Sequence, residues 1–352
     1  MIRFFRKRFI QDTGVDLGTS KTLLYIKGQG VVVNEPTVVA LNKKTNQIIA
    51  IGREARSMRG KTPPHIDAIK PLVNGVISDF EVTEKMLRYF FEKTKKKGSF
   101  NDLTTWRRLV IGIPCGGTEV EKRAVEDAAH NAGAREVYLI EEPLAVALGA
   151  RLPIRESNGL LIVDIGGGIT EVAVVSLGGI AVSKSLKIAG DKLNENIIYY
   201  LRDKFKLMIG EGTAEEIKIA IGSAEDLGSG KEMKVKGRDL TRGLPKELKI
   251  KEEYVREAIT PSLERIIDAI KDVIEVTPPE LISDVMNTGI ILSGGTSLLR
   301  GFDKLIEKSV SLPVHIVEDP ITAVIRGIGS ILEDVDSYKD ILSTISKAKP
   351  PL

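Results

Sequence analysis

Asp16 and Asp164 each end an apolar run and open a short stretch of small residues. The first string reads Val15-Asp16-Leu17-Gly18-Thr19-Ser20-Lys21-Thr22-Leu23-Leu24-Tyr25-Ile26. The second reads Val163-Asp164-Ile165-Gly166-Gly167-Gly168-Ile169-Thr170-Glu171-Val172-Ala173-Val174, and the two align without a gap. Each predicts a strand, a tight turn and a returning strand. Backbone N–H groups exposed by a Gly-rich turn can wrap an anion. A carboxylate at the mouth of such a turn can hold a hydrated Mg²⁺, a cation that prefers one or two carboxylates together with water and phosphate oxygens. Two such hairpins imply two similar half-molecules gripping one nucleotide from opposite sides. The strings are not P-loops, since no G-x-x-x-x-G-K-[ST] pattern is present, and a Rossmann fingerprint would open a helix. Here Thr22 to Ile26 and Thr170 to Val175 are strand formers. The other reading is two ordinary β-hairpins with Gly turns, and the ungapped match of Asp and Thr at the same positions weighs against it.

The elements that must carry these turns follow from the surrounding pattern. Gly30 to Leu41 continues the β pattern, with Pro36 marking an edge or break, and Gln47 to Ile51 adds a short strand. Residues 53–75 are basic and Pro-rich and predict a small loop-rich subdomain. Thr83 to Lys97 carries Met86, Leu87, Phe90 and Phe91 at helical spacing. Gly98 to Arg108 predicts a loop with Phe100, Leu103 and Trp106, either packed beneath it or exposed as a membrane- or partner-facing tip. Leu109 to Ile113 and Val137 to Ile140 predict buried strands. Thr118 and Glu121 have the spacing of a capping box opening a helix to about Ala132, and Thr213 and Glu216 repeat that spacing ahead of a helix to about Ala224. Pro143 to Gly149 predicts a helix with Pro at its first position. Arg155 to Gly159 reads as the boundary between halves, and Leu160 to Asp164 restarts the pattern. Asn194 to Phe205, Val255 to Glu275, a short stretch from Pro278-Pro279, and Ala323 to Glu333 predict helices. Residues 228–251 predict a small β element, and Gly289 to Leu292 a strand before the turn Ser293-Gly294-Gly295-Thr296. The tail from Ser346 predicts disorder.

The chain has 352 residues, with 42% hydrophobic and 28% charged residues, a normal globular composition. A formal net charge of +3 gives no case for nucleic acid, and three His argue against a His-rich metal site. Cys115 is the single cysteine, which excludes an intrachain disulfide and fits a reducing compartment. No apolar stretch approaches the ~20 residues of a membrane span. The first ten residues, Met1-Ile2-Arg3-Phe4-Phe5-Arg6-Lys7-Arg8-Phe9-Ile10, contain no acid. On a helix, Ile2, Phe5 and Phe9 share one side while Arg3, Arg6, Lys7 and Arg8 fill most of the rest. Such a segment suits an anionic membrane surface. A frayed basic start, or a strand packed on the domain, stays open beside that reading.

With these strings in view, the chain resembles the actin-like ATPases of the actin, DnaK-type chaperone and sugar-kinase superfamily. Within it, residues 12–335 or so are similar to the MreB-type bacterial cytoskeletal proteins. The strings that carry the resemblance are VDLGTSKTLLYIKGQGVVVNEPTVVA, IEEPLAVALGA, VDIGGGITEVAVVSLGG, GEGTAEEIKIAIGSAE, TPPEL and ILSGGTSLLRGFDKLI. The resemblance implies an α/β fold of two lobes, each with a five-stranded-sheet subdomain and a smaller insertion. ATP and Mg²⁺ would sit in the cleft between lobes. The expected divisions are a membrane-binding segment 1–11, lobe I 12–155 (small subdomain 34–78), lobe II 156–335 (small subdomain 191–250) and a tail 336–352. The implied function is an ATP-binding protein with weak ATPase activity that polymerises into paired protofilaments on the inner face of the cell membrane. There it would work with membrane-bound cell-wall elongation proteins to direct wall synthesis and rod shape. The alternative is a soluble ATPase or small-molecule kinase of the same fold that forms no filaments.

The resemblance assigns roles residue by residue. Gly18, Thr19, Ser20 and Lys21 hold phosphates from one side, Gly166, Gly167 and Gly168 from the other, and Asp16 and Asp164 hold Mg²⁺ through water. Glu142 stands before Pro143, which disfavours helical geometry there, and is expected to orient or deprotonate the attacking water. Glu141 is the second candidate. Glu215, Glu216, Ile217 and Lys218 match the ribose and adenine wall, and Gly294, Gly295, Thr296, Ser297 and Leu298 match the adenine-side turn, where absent side chains would let the base approach. Two positions depart from the family pattern. Ile169 stands where the family usually has a Thr that helps place the lytic water, so slow hydrolysis is expected. Lys21 stands where an Asn is usual, and could contact phosphate or point to solvent.

Overall fold

The protein is described from a computed structural model covering residues 10–94 and 106–343, with only the backbone of Ile10, Trp106 and Arg107. The expected membrane segment at Ile2, Phe5 and Phe9, the loop residues Phe100 and Leu103, and the tail from Ser346 lie outside the described residues. The chain forms two compact units. One comprises 1–156, 177–179 and 322–352; the other comprises 157–176 and 180–321.

The first unit opens with β1 (Ile10–Leu17), β2 (Lys21–Ile26) and β3 (Gly30–Pro36), then β4 (Val39–Asn42), β5 (Gln47–Ile51), α1 (Arg53–Met58), β6 (Ile66–Ile69), β7 (Leu72–Val73) and β8 (Val76–Ile77). It continues through α2 (Phe80–Lys93), β9 (Trp106–Ile113), α3 (Glu119–Asn131), β10 (Ala134–Glu141) and α4 (Glu142–Gly149). Its main sheet has five strands in the order β10-β9-β1-β2-β3. β1 runs antiparallel to β2 and parallel to β9, and β9 runs parallel to β10. The core beneath it includes Val15, Leu24, Phe90, Leu109, Ile111 and Leu139. A three-stranded sheet, β5-β4-β6, closes a small satellite core of Val38, Ala40, Ala50, Ala55 and Ala68.

Several expectations change here. The stretch after residue 52 is not all loop: α1 forms because Ala55 has a satellite core to enter. Trp106 to Arg108 belong to β9, paired with Ile10 to Asp12, instead of to a loop. α2 starts at Phe80, capped by Asp79, whose side chain accepts from the Val82 N–H at 3.0 Å. The Thr118–Glu121 capping box forms as its spacing predicts, with both reciprocal bonds present.

The second unit contains β11 (Leu160–Ile165), β12 (Thr170–Ser176), β13 (Gly179–Leu186), α5 (Gly190–Phe205), β14 (Leu207–Met208), α6 (Glu211–Ile221), β15 (Glu232–Asp239) and β16 (Pro245–Lys251). There follow α7 (Glu252–Val276), α8 (Pro279–Thr288), β17 (Ile290–Ser293), a 3₁₀ turn (Gly295–Leu298), α9 (Phe302–Val310) and β18 (Val314–Ile316). Its five-stranded sheet has the order β13-β12-β11-β17-β18. β11 is antiparallel to β12 and parallel to β17, and β17 is parallel to β18. This is the strand order of the first unit, with the insertion again after the third strand. β14, β15 and β16 form the small sheet of this unit.

The Thr213–Glu216 capping box does not form. α6 starts at Glu211 behind an extended Gly210, with no side-chain cap, so Thr213 is already inside the helix. α5 begins four residues earlier than its apolar spacing implies. The N–H groups of Gly190 and Asp191 find carbonyl partners in the turn after β11, which satisfies donors that a helix start otherwise leaves unpaired.

The chain then returns to the first unit as α10 (Ala323–Glu333), with the bounds its sequence predicts. α10 packs on α4 and across β1, β2 and β9. The approach is backbone to backbone. A Cβ on Gly149 would lie 2.0 Å from the Ala323 carbonyl oxygen, and one on Gly327 would lie 1.8 Å from that of Ala145.

Candidate functional site

In the first unit the β1–β2 turn is closed by the Gly18 N–H donating to the Lys21 carbonyl at 3.1 Å. A Cβ on Gly18 would sit 2.9 Å from that carbonyl oxygen, so the turn excludes larger residues there. Thr37 braces the turn from behind, its hydroxyl donating to the Gly18 carbonyl at 2.7 Å and lying 2.9 Å from the Thr22 hydroxyl. Thr19 is buried, and its Oγ1 accepts from the Gly75 N–H at 2.9 Å. Asn74 and Gly75 both have positive φ (52° and 76°), the two-residue turn that an Asn-Gly pair favours between short strands. The Thr19 side chain thus ties the β1–β2 turn to the turn between β7 and β8.

Asp16 lies opposite Gly112 of β9 in the sheet register. Gly112 makes room for Glu142: a Cβ there would lie 3.5 Å from Glu142 Cγ and 3.2 Å from Val324 Cγ1. Glu142 is 8% exposed. It is the first residue of α4, with Pro143 second and the extended Glu141 as cap. Glu142 therefore stands inside the helix start instead of before it, because the proline disfavours but does not forbid helical geometry in its neighbour. The α4–α10 contact fixes the helix that carries it.

The second unit repeats the turn. The Gly166 N–H donates to the Ile169 carbonyl at 3.0 Å, and the fully buried Thr170 donates to the Ile188 carbonyl at 2.7 Å. Gly166 O accepts from the Gly190 N–H at 3.2 Å and from the Thr296 hydroxyl at 2.8 Å, while Gly167 O accepts from the Asp191 N–H at 2.7 Å. Lys218 Nζ donates to the Gly190 carbonyl at 2.7 Å. Gly190 is thus where the turn, α6 and the 3₁₀ turn meet: a Cβ there would lie 2.9 Å from Thr296 Oγ1 and 3.3 Å from Lys218 Nζ. Sequence reasoning passed over Gly190 and Asp191. The available signal was a Gly-Asp pair directly ahead of an amphipathic helix.

Asp164 is 6% exposed, and its Oδ1 has no hydrogen-bond partner. Burial pushes its carboxyl up to about 6, against a smaller opposing effect of the Ser293 hydrogen bond. A buried carboxylate oxygen without a donor fits a hydrated cation beside the turn. Among the described residues no group of three or more His, Cys, Asp or Glu could hold a metal ion.

The remaining expected site residues are distributed unevenly. Gly294 has φ 84°, and a Cβ there would lie 2.3 Å from the Ile165 carbonyl oxygen, so its own chain requires the glycine, whatever a base would require. Thr296 and Ser297 turn their hydroxyls to the carbonyls of Gly166 and Gly294. Gly295 and Leu298 are exposed, and a Cβ on Gly295 would meet only Ile321 Cγ1 at 4.0 Å. On α6, Ile217 is fully buried in the unit's core, Glu215 and Lys218 are half-buried and Glu216 is exposed. Ile217 thus supports the wall from within, and Glu216 is free of the capping role its spacing suggested.

Two five-stranded sheets of one strand order, each ending its first hairpin in the same Gly-closed turn behind an Asp, define an actin-like fold. The chain belongs to the MreB/Mbl protein family, whose sequence model matches residues 10–340. It is 45% identical to the cell shape-determining protein MreB of Escherichia coli K12, over 96% of this chain and 98% of that one. It is 44% identical to the cell shape-determining protein Mbl of Bacillus subtilis 168, over 93% and 97%. Among solved structures it is similar to MreB5 of Spiroplasma citri bound to AMPPNP, with a TM-score of 0.88 and 38% identity, covering 94% of this chain and 98% of that one.

Proposed function

We propose that this chain is an actin-like ATP-binding cytoskeletal protein that polymerises into paired protofilaments at the inner face of the cell membrane. There it directs wall synthesis together with membrane-bound elongation proteins and sets rod shape, and it hydrolyses ATP slowly. The observation that carries the reading is the matched pair of turns, Gly18 to Lys21 and Gly166 to Ile169, each closed by its first glycine and each following a strand that carries an Asp two residues before that glycine. The names of the relatives, cell shape-determining proteins and a nucleotide-bound MreB5, support it.

In this reading the two turns hold the phosphates of ATP. Glu215 and Lys218 on α6, with the exposed Gly295 and Leu298, face the nucleoside. Asp164 and Asp16 hold Mg²⁺ through water, and Mg²⁺ supplies neutralisation of the charge on the phosphate oxygens. Glu142 orients the attacking water and accepts its proton. Ile169 offers no hydroxyl to help, which keeps turnover slow. Glu142→Gln is expected to slow phosphate release by about 10²-fold or more while ATP still binds, as measured by phosphate release beside a nucleotide titration. Residues 1–11, with Ile2, Phe5 and Phe9 among basic neighbours, anchor the filament to anionic lipid.

The test is co-sedimentation with anionic vesicles and ATP–Mg²⁺, full length against a variant lacking residues 1–10, with electron microscopy of the pellets. Filaments on lipid that depend on residues 1–10 are expected. Filaments that ignore the deletion would remove the anchor from that segment. Protein that never pellets under any nucleotide would overturn the filament reading and favour a soluble actin-fold ATPase.

A further inference from the structure

Glu252 is a carboxylate with almost no solvent, 4% exposed, at the first position of α7. A carboxylate there ordinarily serves its own helix start. This one turns to three other segments. Its Oε1 accepts from the Ser223 hydroxyl at 2.8 Å. Its Oε2 accepts from the Ser229 hydroxyl and from the Lys231 N–H at 3.4 Å, and lies 3.4 Å from Arg300 Nη2. Arg256, one turn along α7, lies 3.7 Å from Oε1 and donates to the Ser223 hydroxyl at 3.3 Å.

Arg300 directly follows the 3₁₀ turn and Leu299. It donates to the last carbonyls of α6, from Nη2 to Ile221 O at 2.9 Å and from Nε to Gly222 O at 3.0 Å. Its main chain is stitched to the same place, with an isolated bridge to Ser223 and the Ala224 N–H donating to its carbonyl at 2.8 Å. Gly222 allows this approach: a Cβ there would lie 2.3 Å from Lys218 O and 3.2 Å from Leu299 Cδ1. The end of α6 and the exit of the 3₁₀ turn are therefore one joint, and a single buried carboxylate fastens it to α7 and to the chain entering β15.

We infer that Glu252 is the positioning residue of the nucleoside-facing wall: by holding Arg300 it sets the distance and angle between α6 and the Gly294–Leu298 turn, and ties both to the small β14–β15–β16 sheet. The inference rests on the proposed reading of α6 and that turn as the nucleoside contacts. Glu252 touches no nucleotide in this scheme. It acts through Arg300, whose planar fork needs a fixed counter-charge to keep both carbonyl contacts.

The experiment titrates ATP–Mg²⁺ against the full chain, Glu252→Gln, Arg300→Lys and the exposed control Glu253→Gln, and follows single-turnover hydrolysis at saturating ATP and cooperative melting. For Glu252→Gln, ATP binding is expected to weaken by about tenfold or more, the worth of one charge-assisted contact. Single-turnover hydrolysis should stay within about twofold, because Glu142, Asp16 and Asp164 are untouched. Arg300→Lys, which keeps the charge and loses the fork, should show the same split, and it decides the matter if Glu252→Gln does not fold. Glu253→Gln should match the full chain. Unchanged ATP affinity in both variants overturns the inference alone. Affinity and hydrolysis falling together also overturns it, because that marks damage beyond the wall. A full chain that binds no ATP overturns the proposed function, and this inference with it.

Discussion

Burial pushes the Asp164 carboxyl up to about 6, so the folded, nucleotide-free protein holds a proton there more tightly than the unfolded chain does. Between about pH 4 and pH 6 this group makes stability fall as pH rises. At neutral pH the buried charge costs about 3 kcal/mol, the equivalent of its displacement from 3.8. Asp164→Asn should therefore raise the melting temperature of the nucleotide-free protein at pH 7 and remove that pH dependence. It should also abolish the strengthening of ATP–Mg²⁺ binding as pH rises through about 6. Calorimetric melts from pH 4 to 8, with and without nucleotide, check both. At the other end of the same turn, Ile169→Thr should speed phosphate release by about tenfold, one hydrogen bond's worth of barrier. At this scale the sequence was legible where a residue's partners are local. Gly18 and Gly166 close four-residue turns, and their strings say so. Gly190 and Gly294 were not legible in the same way. The first is demanded by Thr296 and Lys218, the second by the Ile165 backbone, and both reasons arise from contacts far along the chain.

Helices divide along the same line. The Thr118–Glu121 box forms where its spacing places it, with both reciprocal bonds made inside one turn of chain. Thr118→Ala should cost about 1 kcal/mol in a denaturant titration, the usual worth of such a cap, and should leave ATP binding unchanged. The identical spacing at Thr213 and Glu216 came to nothing because Gly210, already extended, let α6 start three residues earlier. Apolar spacing located α5, but the N–H contacts of Gly190 and Asp191 with the turn after β11 set its start. Periodicity thus found most of the helices and missed α1 and α9. For α5, tertiary hydrogen bonds decided where it begins.

At the level of the chain, the doubled string pointed to a doubled architecture, and both units share one strand order. Their chemistry diverges within that common plan. The first turn carries Thr19, Ser20 and Lys21 and has Glu142 beside its sheet, while the second carries Gly167, Gly168 and Ile169 and has the more deeply buried carboxylate. The repeat supplies two Gly-closed turns of one design, and departure from it supplies a nearly buried Glu142 in the first unit and a buried Asp164 with an unbonded oxygen in the second. The membership of α10 in the first unit was the least legible feature at this scale, since no local signal says that a helix starting at Ala323 belongs under β1, β2 and β9.

That placement gives the protein a timetable. On a ribosome, β1, β2, β9 and α4 emerge long before α10, and the backbone seat on Gly149 has nothing to receive until Ala323 and Gly327 have been made. At ordinary translation rates the wait is on the order of ten seconds, during which the underside of the first sheet lacks its closing helix while the whole second unit is synthesised. Protease challenge of stalled nascent chains should find residues 157–321 protected first and the N-terminal region last, reversing the usual order in which domains fold as they emerge. Chains stalled just short of residue 323 should remain cleavable within the first unit however long they wait.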